Sequence, residues 1–461
     1  MVTFLKKVIS TPVLADLLRR GELVVAVYGL GYVGMALSAA WALAGARVIG
    51  VDIDSGKVEK LNSGVVEYVE KDVVDVLTHA IRSGKFTATT DGVVASIRSH
   101  VKIVAVPVFL KKSATAIDVD FSALTSAARS IGAGLKKGDL VIVESSVPPG
   151  TTEEVVRPVL EGASGLVAEE DFYLAYSPER VMVGHALKDI VENYPKVVAG
   201  VGPRSAEEAA ELYRQVAKRG VLVLESTREA EFEKLLEGVY RDVNIAVANE
   251  MAKLANALGI SFRRAREAAN SQPYSHVHKP GSGVGGNCIP VYPYFLMWTA
   301  AKYGVDLPLT RTARFINEKQ PEEVAFAALR AMLKHGVNPA AAKIAILGLA
   351  FRGDVDDTRG SPTYDIIATL LKVGIKSEQI TVHDPYVKQD MLLARWGIAL
   401  TQDLESAVKG ADVVIISTDH SAYRIKASAL LSLMNARVVV DARGVLTPDA
   451  DIYSIDSGRW P

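Results

Sequence analysis

This chain of 461 residues contains one cysteine, so no disulfide can form within it. A lone thiol fits a reducing compartment. The chain also lacks an excess of charge of either sign: 52 Lys and Arg against 53 Asp and Glu leave a net charge of −1. No global field therefore draws it to nucleic acid or to an anionic membrane. No uninterrupted apolar run reaches the roughly 20 residues needed to span a bilayer. Residues 1–20 place Lys6 and Lys7 before a mixed segment ending Asp16-Leu17-Leu18-Arg19-Arg20, with no small-residue cleavage site. That segment reads as an amphipathic helix and not as a targeting signal. The expectation is a cytoplasmic protein with no nucleic-acid or membrane partner. The length exceeds what one hydrophobic core supports, which predicts two or three domains.

The single cysteine, Cys288, ends the run Lys279-Pro280-Gly281-Ser282-Gly283-Val284-Gly285-Gly286-Asn287-Cys288-Ile289-Pro290. Glycines at 281, 283, 285 and 286 allow a backbone that enters φ > 0 and approaches a ligand closely. A thiol there suits covalent chemistry. The competing reading is a small buried hydrophobe, the common fate of free cysteines.

Apolar strands alternate with helical stretches in the first half. Val24-Val25-Ala26-Val27-Tyr28 reads as a strand, followed by a glycine turn, a small-residue helix and a second strand, Arg47-Val48-Ile49-Gly50-Val51-Asp52. A related pattern returns at Lys343-Ile344-Ala345-Ile346-Leu347-Gly348-Leu349-Ala350-Phe351 and at Gln379-Ile380-Thr381-Val382-His383-Asp384. This predicts an α/β protein with two Rossmann-like, doubly wound parallel-sheet domains, the second a degenerate echo of the first. Residues 229–258 form one helical pattern without proline, about 45 Å long at 1.5 Å per residue. Its apolar positions, Leu235, Leu236, Val239, Val243, Val247, Met251, Leu254 and Leu258, recur at helical spacing and predict a packed stripe and a dimer surface. Lys234, Gly238, Arg241 and Asn244 share another face. The expected division is a dinucleotide-binding domain over 1–215, a central helical and dimerisation domain carrying the cysteine loop over 216–330, and a second Rossmann-like domain over 331–461.

Gly29-x-Gly31-x-x-Gly34 follows a strand and opens a helix, the arrangement in which glycines make the turn, admit a pyrophosphate and let helix and strand touch. Asp52 ends the next strand, where a carboxylate holds ribose hydroxyls and repels a 2′-phosphate, so NAD is expected over NADP. A dinucleotide fold with a reactive thiol suggests aldehyde oxidation through a thiohemiacetal, which needs a cation for the oxyanion and a base for water. Lys234 and Glu179 are candidates, although solvated surface roles are commoner for both residue types.

Taken together, Val27-Tyr28-Gly29-Leu30-Gly31-Tyr32-Val33-Gly34, Glu144-Ser145-Ser146-Val147-Pro148-Pro149-Gly150, Tyr176-Ser177-Pro178-Glu179-Arg180-Val181, the glycine–cysteine loop and Leu347-Gly348-Leu349-Ala350-Phe351-Arg352 closely resemble the UDP-glucose/GDP-mannose dehydrogenase family. The resemblance implies oxidation of a nucleotide sugar's primary alcohol to a carboxylate with two NAD. It implies Cys288 as nucleophile, Lys234 as oxyanion-stabilising cation, Glu179 as acid/base residue and Ser146 as holder of the attacking water. NAD contacts are implied at Gly29, Gly31, Tyr32, Val33, Gly34, Asp52 and Pro107. Contacts to a UDP-sugar are implied at Arg180, Arg241, Asn244, Gly283, Gly285, Phe351, Arg352 and Arg359. No metal is called for, and a homodimer through the central helix is expected.

Within the family, Ser177-Pro178-Glu179-Arg180-Val181 and Tyr240-Arg241-Asp242-Val243-Asn244 look like the branch acting on UDP-N-acetylmannosamine or UDP-N-acetylglucosamine. UDP-glucose oxidation, or nucleotide-sugar binding with weakened catalysis, stand as alternatives. Gly238 replaces the usual Asn, Tyr292 the usual Asp and Asn287 the usual His. The first two changes predict slow thioester hydrolysis. A glycine in mid-helix also calls for close approach by a ligand or backbone.

Overall fold

The computed structural model describes residues 13–112 and 117–461. Most of the helix expected over residues 1–20 lies outside them; its end is the helix Val13–Arg19. The chain divides into two compact units, residues 1–236 and 237–461, and the division falls within the 31-residue helix Thr227–Ala257.

Among its described residues the first unit carries ten strands: β1 Val24–Tyr28, β2 Arg47–Val51, β3 Phe86–Thr89, β4 Val101–Val104, β5 Phe109–Lys112, β6 Ile117–Asp120, β7 Leu140–Val143, β8 Tyr173–Tyr176, β9 Lys196–Gly200 and β10 Val221–Val223. Eight of them form one sheet in the order β10-β9-β8-β7-β4-β1-β2-β3, while β5 and β6 pair as an antiparallel hairpin. From β3 to β8 the strands are parallel, and β1 lies between β2 and β4. The order reverses at β1, which opens a crevice at its carboxyl end, the place where open α/β sheets bind ligands. The sheet departs from the expected all-parallel form at one edge: β9 pairs antiparallel to β8, and β10 follows β9.

The second unit carries β11 Ile344–Leu347, β12 Ile380–His383, β13 Ala399–Thr401, β14 Val413–Ile416, β15 Val438–Asp441 and β16 Tyr453–Ser454. They form an all-parallel sheet in the order β13-β12-β11-β14-β15-β16, again reversing at the first strand. Buried aliphatics occupy every position of β11, β14 and the first three of β15, which explains why these strands read as continuous apolar runs.

The apolar pattern of the central helix splits on folding. Leu235 and Val239 are buried, together with Ala246, Ala248, Ala252 and Ala255, whereas Val247, Met251, Leu254 and Leu258 are exposed. Alanines share the buried face with Leu235 and Val239, and Val247, Met251, Leu254 and Leu258 of the expected packed stripe are left outside it.

Candidate active site

In the first unit, the turn after β1 is set by glycine geometry. Gly29 has φ +94°, and its N–H donates to the Val51 carbonyl at 2.8 Å. A Cβ on Gly34 would lie 1.8 Å from the Gly29 carbonyl oxygen, so only glycine lets the helix Tyr32–Leu43 start so close to the strand. Gly31 behaves differently: nothing lies within 4 Å of where its Cβ would be, and it caps the helix without any side-chain hydrogen bond. Open space at Gly31 and uncapped N–H groups at a helix start fit a dinucleotide pyrophosphate. Val33 is half-buried in the first turn of that helix, and Pro107 is exposed just beyond β4. The Tyr32 ring stacks on Tyr68 at 5.1 Å and its hydroxyl donates to Glu70. Glu70 also accepts from the N–H groups of Gly184 and Ala186, each at 2.8 Å.

Asp52 is half-buried beside this turn. Its Oδ2 accepts from the Leu30 N–H at 3.0 Å and from Lys57 Nζ at 3.1 Å, and Oδ1 accepts from the Asp54 N–H at 3.0 Å. Burial works to raise its pKa, but the hydrogen bonds from Asp54, Lys57 and Leu30 outweigh it and hold the carboxyl below its usual range. Asp52 is therefore an anion at neutral pH, with Lys57 as an unforeseen counter-ion. NAD is expected to be preferred over NADP by at least about tenfold in kcat/KM, since one like-charge contact in a partly solvated site costs on the order of 1–2 kcal/mol. Asp52→Asn, which leaves Lys57 unpaired, should narrow that ratio; an unchanged ratio would remove Asp52 from cofactor selection.

Glu179 lies in the loop after β8 and is 6% exposed. Its Oε2 accepts from Lys196 Nζ at 2.7 Å and its Oε1 from the Arg180 N–H at 2.8 Å. Arg180 is held by protein groups: its guanidinium lies 5.0 Å from the centre of the Tyr194 ring, donates to the Pro195 carbonyl and faces Glu233 at 3.5 Å. Ser146 is half-buried beyond β7, and Lys234 is buried on the central helix.

In the second unit, Cys288 is exposed, which excludes the buried-hydrophobe reading. Its carbonyl accepts from the N–H groups of Val291 and Tyr292, both at 3.0 Å, so the thiol precedes the helix Tyr292–Lys302 on a tight turn. The glycines before it make close approaches to protein. A Cβ on Gly285 would lie 2.5 Å from Phe351 Cβ and 2.7 Å from the Gly360 carbonyl oxygen; one on Gly281 would lie 2.6 Å from Arg443. Gly283, at φ +137°, is walled by Pro321 and Pro362. The Gly286 N–H donates to the Arg359 carbonyl at 2.9 Å, seating the loop on the turns around β11. The Arg359 side chain donates to both oxygens of Asp357 and interacts electrostatically with Cys288. Phe351 and Arg352 are half-exposed on the same turn, and the Phe351 N–H donates to the Asp357 carbonyl at 3.0 Å.

Asn244 is spent on the backbone: its side chain donates to the His276 carbonyl at 2.8 Å and accepts from the His278 N–H at 2.9 Å. Arg241 is half-buried one turn earlier, its Nε 3.4 Å from the Glu237 carbonyl. Asn249, about one turn and a half beyond Asn244 along the helix, accepts from the Gly281 N–H at 2.9 Å. Buried Asp242 pairs with Arg314 at 2.7 Å. The central helix thus anchors the approach to the cysteine loop at two asparagines. Gly238 is explained by a side chain: a Cβ there would lie 2.3 Å from Cδ2 of the buried Tyr292 ring. The expected close approach is real, and its agent is an aromatic ring, not a ligand or backbone.

The echo in the second sheet is closed to a dinucleotide. Asp384, the counterpart of Asp52, is fully buried and accepts from the N–H groups of Leu349, Ala350, Tyr386 and Val387 and from His420. A Cβ on Gly348 would lie 2.2 Å from Thr418 Cβ, so that side chain fills the turn.

Three family descriptions match the chain in order: UDP-glucose/GDP-mannose dehydrogenase family NAD binding domain over residues 23–217, central domain over 228–319 and UDP binding domain over 345–448. The UDP-N-acetyl-D-mannosamine dehydrogenase of Pyrococcus horikoshii is 37% identical, covering 92% of this chain and 96% of its own length. An NDP-N-acetyl-D-galactosaminuronic acid dehydrogenase of Ralstonia nicotianae is 34% identical, covering 91% of this chain and 96% of its own. The solved structure of UDP-D-ManNAc dehydrogenase from Pyrococcus horikoshii superposes with a TM-score of 0.86 at 36% identity, covering 95% of this chain and 100% of that one.

Proposed function

The chain belongs to the UDP-glucose/GDP-mannose dehydrogenase family and is an NAD-dependent UDP-sugar dehydrogenase; on that footing we propose that it oxidises the primary alcohol of a UDP-N-acetylhexosamine, UDP-N-acetylmannosamine or UDP-N-acetylglucosamine, to the uronate through Cys288. The observation that carries the reading is the exposed lone thiol at the end of a glycine loop whose Gly286 N–H is hydrogen-bonded to the Arg359 carbonyl. NAD, when bound at the Gly29–Gly34 turn and Asp52, supplies the hydride acceptor. The first oxidation removes hydride from the alcohol carbon and passes the hydroxyl proton to Glu179 as base. Cys288 adds to the resulting aldehyde as a thiohemiacetal, and loss of a second hydride leaves a thioester. Water, held by Ser146, hydrolyses it to carboxylate and free thiol. Lys234 stabilises the oxyanion formed at the addition and hydrolysis steps.

Substrate choice follows from the two motifs Ser177-Pro178-Glu179-Arg180-Val181 and Tyr240-Arg241-Asp242-Val243-Asn244, which we read as those of a branch accepting a 2-acetamido group. The names of the relatives support this branch over UDP-glucose. A panel of UDP-sugars assayed for NADH formation should give the highest kcat/KM with a UDP-N-acetylhexosamine; faster turnover of UDP-glucose would overturn the assignment.

The exposed residues Tyr240, Val247, Met251, Leu254 and Leu258 recur at steps of seven, four, three and four on the central helix. That spacing is the seam of a helix pairing with another helix, and a second copy of this chain is the proposed occupant. Leu254→Glu should convert a dimer to a monomer in light scattering; a wild-type protein that is monomeric at micromolar concentration would contradict this. A cytoplasmic location accords with the lone thiol; among the described residues no helix is long and apolar enough to cross a membrane.

A further inference from the structure

The carboxylate of Glu179 is one corner of a buried cluster whose other members, Lys196 and Glu144, have no part in the reaction scheme above. Lys196, the first residue of β9, donates to Glu144 at 2.8 Å as well as to Glu179 at 2.7 Å. The side chains of Glu144, Glu179 and Lys196 are 0%, 3% and 5% exposed. Tyr213, from the helix Pro203–Arg214, donates its hydroxyl to Glu144, and Lys196 Nζ lies 5.2 Å from the centre of its ring. One ammonium facing two carboxylates leaves these three groups with one negative charge in excess. Such a pair of carboxylates holds one added proton far more readily than an isolated one, because like charges in a low dielectric resist joint ionisation.

We propose that Glu144, Lys196 and Glu179 act together as a buried acceptor for one proton, with Glu179 as the end that meets substrate and Lys196 and Glu144 as positioning residues that set its charge. The proposal rests on the role assigned to Glu179 above. The hydroxyl proton released with the first hydride moves to Glu179, and the cluster passes from one net negative charge to neutral; the proton later leaves to solvent and the charge returns. No other reactant is required. Burial pushes Glu144 up to about 7, with Lys196 opposing and Glu179 adding to the rise. Burial pulls the Lys196 ammonium down, but the two carboxylates more than offset it, and its pKa stands above the ordinary value. The titratable and charged groups around the cluster include Tyr176, Tyr194, Arg180, Asp189, Glu231 and Glu233. Tyr194 donates to the Arg180 carbonyl, Arg180 faces Glu233, and Asp189 accepts from Asn193 and from the Met182 N–H.

The test is the pH profile of kcat with UDP-N-acetylhexosamine and NAD. Glu144→Gln leaves Glu179 paired one-to-one with Lys196, so the acidic limb should move down by more than about half a unit. Lys196→Gln should move it up, and Lys196→Arg should restore it. A purely structural role would lower kcat at every pH without moving the limb, and limbs that stay within about 0.2 unit in both Gln variants would overturn the proposal. A second readout needs no turnover. A Glu whose folded pKa is raised contributes stability that is full below the unfolded value and is lost as pH rises through the folded one. The wild-type Tm should therefore fall relative to that of Glu144→Gln between about pH 4.5 and 7. Parallel Tm curves would also overturn it. Wild-type protein inactive with every UDP-sugar would defeat the functional reading instead, while the Tm curves still judge the cluster.

Discussion

Cys288→Ser is expected to abolish net uronate formation, with a loss on the order of a thousandfold or more in kcat. A serine alkoxide is harder to generate at neutral pH than a thiolate and is a poorer leaving group from the acyl enzyme. The turn that presents residue 288 rests on backbone hydrogen bonds to its carbonyl, so the substitution should leave the fold and NAD binding intact. Mass spectrometry of the wild-type enzyme mixed with NAD and substrate should show a sugar-nucleotide adduct on Cys288 if thioester hydrolysis is slow, and the serine variant should show a more persistent ester or released aldehyde. Wild-type turnover in the variant would eliminate covalent catalysis at this position.

The second large effect is expected at Gly238 and Tyr292. The Tyr292 ring occupies the volume that any side chain at 238 would need, with a contact of 2.3 Å to the first added atom. Gly238→Asn should therefore destabilise by about 1–3 kcal/mol through overpacking, although the better helix propensity of Asn returns a few tenths. Tyr292→Asp should also destabilise, because it empties an aromatic-sized volume and places a carboxylate where a buried ring lay. Made together, the two changes refill the site, and their cost should fall below the sum of the single costs by about 0.5–3 kcal/mol. Urea unfolding of the four proteins measures this directly. Additive costs would show that the two residues are independent. The same set tests the catalytic meaning of Tyr292: faster loss of the Cys288 adduct in the double variant would mark the Gly238–Tyr292 pair as slowing hydrolysis, and slower turnover would mark the tyrosine as a working part.

The pattern of this pair also shows where reading the sequence reached its limit. The Gly29–Gly34 turn and Asp52 were legible because their geometry is local: a strand, three glycines at fixed spacing and a carboxylate at the end of the next strand. The second sheet was legible for the same reason, as was its degeneracy, with Ala350 where the first turn has Gly31, though not the side chains, Thr418 and His420, that close it. Gly238 was recognised as a point of close approach, but its partner lies 54 residues on (292 − 238) and no spacing rule joins them. The direction of β9 and β10 was likewise hidden, since an apolar run reads the same in a parallel and an antiparallel ladder. Lys196 opens the apolar strand Lys196-Val197-Val198-Ala199-Gly200, and a lysine buried with a strand must meet a carboxylate. That signal was present; which carboxylates it met was not. On the central helix, the apolar periodicity is plain in the sequence, but the buried face carries alanines beside Leu235 and Val239, and Val247, Met251, Leu254 and Leu258 are left for another surface.

The central claim is a four-electron oxidation completed on one enzyme, and the count of NADH formed per UDP-N-acetylhexosamine consumed tests it most directly. With substrate limiting and NAD in excess, the account predicts two NADH for each sugar nucleotide, with the uronate as the only sugar product. One NADH per sugar nucleotide with free aldehyde as the product would contradict it.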